Sequence, residues 1–394
     1  MSLACYLHVP FCAKICTYCD FYRLVHDEES EHRYADAIVT EITLRSQQWQ
    51  AQAALEPHRS GNSDRPLLHT IYFGGGTPSV LSPETWERIV TALRDNFEFA
   101  PDLEFTSEAN PESSTPEKLS CLRALGVNRI SFGAQSFAAA NLSRLGRLHS
   151  AQQVGVAVAA ARNAGFENIS IDLMYGLPDE TDATFCSDLE AAVALKPQHV
   201  SFYSLMLEGA VPLRYQVQRR EVTLPDDDVI AERYLHAIAF FAAAGLEHYE
   251  ISNFAQPGRR CRHNLAYWEA RDYLAFGPAA VGTIGDRRYK NDPDIFRYVQ
   301  SLAQKRLPPA DVEEITRGKR LIETIMLSLR THRGLDHRSL AATFDYDILV
   351  ARADLIAALQ KDGDAVLDDA FLRLTPRGFF RSDLIMSLLL PNTV

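Results

Sequence analysis

The feature that most constrains the fold is an alternation repeated along the first two thirds of the chain. A short apolar run gives way to an amphipathic helical pattern, and another apolar run follows. Runs with strand character lie at 3–9 (LACYLHV), 69–74 (HTIYFG), 103–108 (LEFTSE), 128–133 (NRISFG), 168–173 (NISIDL) and 199–204 (HVSFYS). They are rich in Ile, Val, Phe and Tyr, and most stop at a polar residue or a glycine. Between them, 83–97, 115–125, 150–164, 182–195 and 226–244 place apolar residues at helix spacing. The first of these helices follows Ser82, whose hydroxyl suits a helix start. A unit of roughly thirty residues that runs strand, helix, strand has to cross over, so its strands lie parallel. Six such units predict an α/β fold: a partial or full (β/α) barrel over residues 1–255, with its site at the C-terminal strand ends.

The rest of the chain reads differently. Residues 51–67 (AQAALEPHRSGNSDRPL) are polar and broken by Gly and Pro, which predicts a surface loop in the first unit. Residues 256–311 keep no steady period and carry the cluster RRCRHNLAYW, so they read as an irregular connection. From 312 to 394 a helical period returns in EEITRGKRLIETIMLSLRT, HRSLAATF and YDILVARADLIAALQKDG. A strand pair, DAVLDD and FLRLT, precedes a last helix, a pattern that predicts a winged-helix-like module.

No apolar run is long enough to span a bilayer. The start, MSLACYLHVPFC, lacks a basic segment followed by an apolar core and a cleavage site. A cytoplasmic protein is expected, with peripheral membrane association left open. The formal charge of −11 argues against the broad basic face that a nucleic-acid partner requires.

Of seven cysteines, four fall within the first nineteen residues: Cys5, Cys12, Cys16 and Cys19. A disulfide scaffold would spread them more evenly. Cys5 lies inside a strand pattern, where it acts as a small apolar residue. Cys12-Ala-Lys-Ile-Cys16-Thr-Tyr-Cys19 offers three thiolates to one loop. Such a loop can wrap a corner of an iron–sulfur cubane and leave one iron open to a small molecule. A zinc-dependent binding protein is the other reading, although zinc normally adds a second CxxC clip or a histidine, for which His8 and His26 are the nearby choices.

CxxxCxxC just after the first strand of a βα repeat resembles the signature of the radical S-adenosylmethionine (SAM) superfamily. Tyr6-Leu-His-Val-Pro-Phe-Cys12 further resembles the oxygen-independent coproporphyrinogen oxidase-like family, on the side of its HemW-type haem chaperone branch, over nearly the whole chain. The resemblance implies a [4Fe–4S] cluster on Cys12, Cys16 and Cys19, and one-electron cleavage of SAM to a 5′-deoxyadenosyl radical. It also implies an electron donor, haem as a ligand and a haem-acceptor protein. Tyr6, Tyr18, Gly75, Gly76, Thr77, Glu108, Gln135, Arg147 and Asp172 match the positions that contact SAM. The strand-end carboxylates suit its ammonium or hydroxyls, and a guanidinium suits its carboxylate.

Two segments bear on the activity. True coproporphyrinogen oxidases carry a further cysteine two residues after the third ligand, where this chain has Phe21 in Cys19-Asp20-Phe21. Phenylalanine carries neither a proton nor a thiyl radical, so the resemblance favours the chaperone over oxidative decarboxylation in porphyrin biosynthesis. His263-Asn-Leu-Ala-Tyr-Trp268 resembles the HNxxYW motif associated with haem in the chaperone branch, which makes His263 a haem-ligand candidate and Cys261 a second one. The chain departs from its relatives at Ala279-Ala280-Val281-Gly282, where they carry a histidine.

Overall fold

The computed structural model describes residues 3–55 and 65–391. These form two compact units that interleave along the sequence. One takes the residues up to Leu173 with Met206–Thr223 and Arg271–Glu313, and the other takes Met174–Leu205, Leu224–Ala270 and the residues from Glu314 on. One boundary, at Glu313/Glu314, falls close to the expected division at 311, whereas the residues after it share a unit with Met174–Leu205 and Leu224–Ala270.

In the first unit, β1 (Leu3–Val9) is buried at every position except Tyr6, the continuous apolar run needed by a strand covered on both faces. Cys5 is fully buried in it. β2 (Phe11–Cys12) pairs in parallel with β3 (Leu24–Val25) and closes the cysteine loop at its base. β4 (Leu67–Gly75), β5 (Glu98–Ala109), β6 (Arg129–Gln135) and β7 (Ile169–Tyr175) follow, each parallel to the one before, with β1 beside β4. The expected strands are present, and several run a few residues longer. Between them lie α1 (Glu28–Leu55), α2 (Pro83–Asn96), α3 (Pro116–Ala124), α4 (Ala139–Leu145) and α5 (Ala151–Asn163). Ser82 does cap α2, its hydroxyl accepting from the Thr85 amide. Trp86 of α2 stacks on Phe73 of β4 at 4.2 Å between ring centroids, which fixes helix to strand.

Two expectations change, and a third is narrowed. The expected loop at 51–67 is in part helix: α1 continues to Leu55, and β4 begins at Leu67. Residues 56–64 of that segment lie outside the described residues. The stretch 256–311 is not an irregular connection. Within the first unit it supplies β11 (Tyr273–Phe276), parallel to β1, then β12 (Val281–Ile284), β13 (Arg287–Asn291), α10 (Ile295–Ala303) and β14 (Ala310–Glu314). These strands are too short and too mixed in polarity to show a period. Last, the order β14-β13-β12-β11-β1-β4-β5-β6-β7 is linear, and no pair among the described residues closes it, so the barrel is partial.

What orders that late segment is a carboxylate far away in sequence. Glu41 of α1 is fully buried. It accepts from Arg45 Nε (2.7 Å), Asn291 Nδ2 (2.9 Å), Tyr298 Oη (2.7 Å) and the Gly277 amide (2.8 Å). Arg45 also donates to Asn291 Oδ1 at 2.7 Å and lies over the Tyr289 ring at 4.0 Å. A buried charge with this many donors is satisfied, and removing it strands all of them.

In the second unit, β8 (His199–Ser204), β9 (Glu247–Glu250) and β10 (Asn253–Ala255) pair antiparallel through β10. Helices α6 (Asp182–Ala194), α8 (Asp227–Ala243) and α9 (Arg262–Trp268) belong to this unit, whereas α7 (Pro212–Gln218) belongs to the first. The C-terminal run gives α11 (Arg317–Ser328), α12 (His337–Phe344) and further short helices. Its strands β15 (Leu335–Asp336), β16 (Ala365–Leu367) and β17 (Phe371–Leu374) pair in the order β15-β17-β16, consistent with the expected winged module.

Replacing Glu41 with alanine is expected to lower stability by about 3–5 kcal/mol in urea unfolding, and Glu41→Gln, which keeps an acceptor oxygen, by less. A loss below about 1 kcal/mol for the alanine variant would show that the network does not hold this segment.

Candidate cluster and cofactor site

The three thiols sit on one loop, and none is engaged in a disulfide. The loop is tied down along its length. The His26 amide donates to the Cys12 carbonyl at 2.9 Å. Thr17 donates through its amide to Leu145 O (3.2 Å) and through its hydroxyl to Arg144 O (2.8 Å), which pins the middle of the loop to the end of α4. Burial pushes the Cys12 and Cys19 thiols up, and the Thr77 hydroxyl, 3.5 Å from Cys12 Sγ, pulls Cys12 back down. The neighbouring thiols raise both groups further, because three thiolates in one loop repel each other. That donor set fits a positively charged group that several soft ligands share. Among the described residues no three His, Cys, Asp or Glu side chains are gathered closely enough to hold one metal ion.

Beside the loop, β4 ends in a glycine turn. Gly75 adopts φ +108°, which side chains rarely tolerate. A Cβ at Gly76 would lie 2.6 Å from the Phe11 carbonyl oxygen. Its absence lets the Gly76 amide reach Val9 O (2.6 Å) and the Thr77 amide reach Phe11 O (2.7 Å). The turn is thereby stitched to the segment that leads into Cys12.

The strand ends complete the site. Glu108 near the end of β5 accepts from Tyr72 Oη (2.8 Å) and from the Gly75 amide (3.2 Å). Its carboxyl is pushed up to about 7, first by burial and then by Asp172, against the pull of Tyr72 and Gly75. Tyr6 stacks on Tyr72 at 6.2 Å. Asp172 of β7 accepts from Ser131 (2.8 Å) and Ser170 (3.3 Å). Gln135 ends β6 just after a break in register, with φ 66°. Arg147 follows α4. It donates to Asn110 Oδ1 (2.5 Å), to Gly133 O (2.8 Å) and to Cys16 Sγ (3.5 Å). Its Nε is buried without a partner in the described structure. Tyr18 lies beside it, its phenol raised by burial and lowered by the guanidinium.

All the residues expected to hold SAM thus belong to the first unit, and hydrogen bonds or close electrostatic contacts link most of them. Acid lies on one part of the site, at Glu108 and Asp172, and base on another, at Arg147. Such a site suits a ligand with both an ammonium and a carboxylate. His263 lies instead in α9 of the second unit. It is almost fully buried, and its Nε2 is 2.8 Å from the Tyr267 hydroxyl.

The sequence reading missed several supporting residues. Asn110 donates to Thr77 Oγ1 (3.2 Å) and accepts from Arg147, joining the glycine turn to the guanidinium. His149 bridges Ala134 O (3.0 Å) and Glu112 (3.2 Å), which steadies the residue next to Gln135. Tyr72 reads as an ordinary strand residue. Asn110 lies two positions after Glu108, and His149 two after Arg147, so each stands beside a residue already matched to the site.

Comparison with known proteins agrees with this geometry. Residues 6–192 match the model of the radical SAM superfamily, and residues 315–381 match that of the HemN C-terminal domain. The chain is 37% identical over 388 residues to a heme chaperone HemW of Mycobacterium tuberculosis, covering 98% of this chain and 94% of the relative. It is 35% identical to heme chaperone HemW of Bacillus subtilis, over 86% of each. The structure of coproporphyrinogen III oxidase (HemN) from Escherichia coli superposes with a TM-score of 0.82 at 26% identity, over 99% of this chain and 90% of that one. The chain belongs to the HemW family of radical SAM proteins, a superfamily membership that implies a [4Fe–4S] cluster and SAM.

Proposed function

We propose that the protein is a haem chaperone, which binds haem and passes it to an acceptor protein while holding a cluster and SAM. The observation that carries the reading is the 37% identity to a heme chaperone HemW across 98% of the chain. Phe21 supports it. The side chain that stands where oxidases carry a further cysteine is 65% exposed and inert to proton or radical transfer.

Cys12, Cys16 and Cys19 hold the cluster, which when bound supplies one-electron reduction of SAM and itself draws on an electron donor. The chain's own residues position the ligand. Gly75, Gly76 and Thr77 offer a close backbone approach, and Glu108 and Asp172 face its ammonium and hydroxyls. Arg147 takes its carboxylate, with Tyr6, Tyr18 and Gln135 lining the site. Haem belongs to the segment around α9. His263 holds Tyr267 there, and ligation of iron by its imidazole would require that bond to open. No described helix is long and apolar enough to cross a membrane.

The test is an anaerobic assay of reconstituted protein with SAM, a reductant and coproporphyrinogen III, beside a haem titration. We expect haem binding and no vinyl porphyrin. Vinyl product with matching deoxyadenosine would establish the decarboxylase instead. Cys16→Ala is expected to abolish the visible absorbance of the cluster and to leave haem binding in place.

The Glu108 carboxyl predicts a pH dependence. An acid raised from 4.5 to about 7 holds more protons folded than unfolded between those values. Its contribution to stability therefore falls as pH rises through that window and is flat above it. A cationic ligand group favours the carboxylate, so SAM binding releases the proton. Affinity measured by calorimetry should rise from pH 6 to about pH 8, by up to about tenfold, and then level off. Glu108→Gln should remove that rise, and an unchanged slope in the variant would assign the titration to another group.

A further inference from the structure

The second unit contains a half-open cavity of about 470 Å³, within the range of roughly 300–1,000 Å³ usual for small-molecule sites. Helices α9, α11 and α12 wall it. On α9 and at its C-terminal cap the lining residues are Leu265, Trp268 and Glu269. They stand three and four positions apart and so share a face. His263 and Tyr267, also four apart, bond to each other, and His263 is almost fully buried. The HNLAYW helix is therefore split: its histidine packs inward, and its tryptophan faces the cavity.

The cavity's charge points to an anionic occupant. Arg260, Arg320 and Arg333 line it, against the carboxylates Glu269 and Asp336. Asp336 is committed to capping α12, where it accepts from the Ser339 amide at 2.8 Å. Arg320 pairs with Glu323 at 3.4 Å, and Arg260 with Glu247 at 3.2 Å, both at partly solvent-exposed side chains. Arg333 lies over the Phe371 ring at 5.7 Å. Ion pairs open to solvent contribute little by themselves, so a ligand carboxylate, which a guanidinium takes as a fork, can replace them at small cost. Trp268 and Phe344 add aromatic surface between the cations.

We propose that this cavity takes a planar aromatic ligand through its carboxylates. On the haem reading, which the inference rests on, that ligand is the porphyrin, seated by its propionates on Arg320 and Arg333 with its ring edge against Trp268. Recognition then does not depend on the iron. The metal stays on the open side, where an acceptor can reach it, and His263 acts as a positioning residue for α9.

The experiment titrates the full-length protein with haem, metal-free protoporphyrin IX and the dimethyl ester of protoporphyrin IX, following tryptophan and porphyrin fluorescence. We expect the two free acids to bind within a few-fold of each other and the ester at least tenfold more weakly. The double variant Arg320→Gln/Arg333→Gln should lose at least tenfold for both acids and no longer discriminate against the ester. Lys361→Gln, which removes a surface charge of the same unit, should bind as the wild type does. The ester comparison needs no variant, so a folding defect in the double variant cannot hide the answer. Haem binding with an unaffected ester, with no binding of the metal-free acid, or with an intact double variant would overturn the cavity and leave the chaperone reading standing. No porphyrin bound at all would overturn both.

Discussion

Two backbone hydrogen bonds hold the cofactor site together: Gly76 N to Val9 O at 2.6 Å and Thr77 N to Phe11 O at 2.7 Å. They bring the end of β4 against the segment that carries the first thiol, and they form only because position 76 has no Cβ to strike Phe11. The rest of the site follows from that approach. Thr77 comes within 3.5 Å of Cys12 Sγ, Asn110 reaches Thr77, and Arg147 reaches both Asn110 and Cys16. A chain of side chains thus runs from one thiol across the strand ends to another. The cluster loop is held from outside itself, which a loop this short and this charged requires once its thiols ionise.

The same network sorts charge. Glu108 and Asp172 come from β5 and β7 of one parallel sheet, and the Asp172 charge makes Glu108 harder to ionise. Tyr72 and the Gly75 amide partly offset that for Glu108. Burial works against the charge on Arg147, but Tyr18, Cys16 and Glu112 favour its charged form. Two carboxyls thus gather on one part of the site and a buried guanidinium on another. A zwitterionic ligand complements both parts at once, so the preference for such a ligand is built into the charge arrangement of the strand ends.

The sequence makes the local part of this legible and the distant part not. β1 and β8 fall where strand composition puts them, because alternation and turn residues are local signals. The thiol spacing and the glycine turn are local as well. The order in 271–314 depends instead on Glu41, whose partners Gly277, Asn291 and Tyr298 lie more than two hundred positions away. Nothing in the short strands β11 to β13 announces them, since they fold against a helix laid down near the start of the chain. Asn110 and His149 stay hidden for the same reason: their work is done across strands, and a polar residue after a strand reads as a turn or a cap until its partner is placed.

The HNLAYW segment shows why a motif cannot be assigned a role from composition alone. Read as letters, it offers an imidazole to iron and two aromatic rings to a porphyrin. Folded as a seven-residue helix, it places His263 and Tyr267 on one face and Trp268 on another, so a single ligand cannot meet all three without rearrangement. On the proposed reading His263 holds the helix in place, and Trp268 meets the porphyrin. Loss of haem on mutating His263 would not by itself show ligation. A shift in the haem absorption bands marks a change of iron ligand, whereas a uniform loss of affinity for metal-free and iron porphyrin alike marks a wall that has moved.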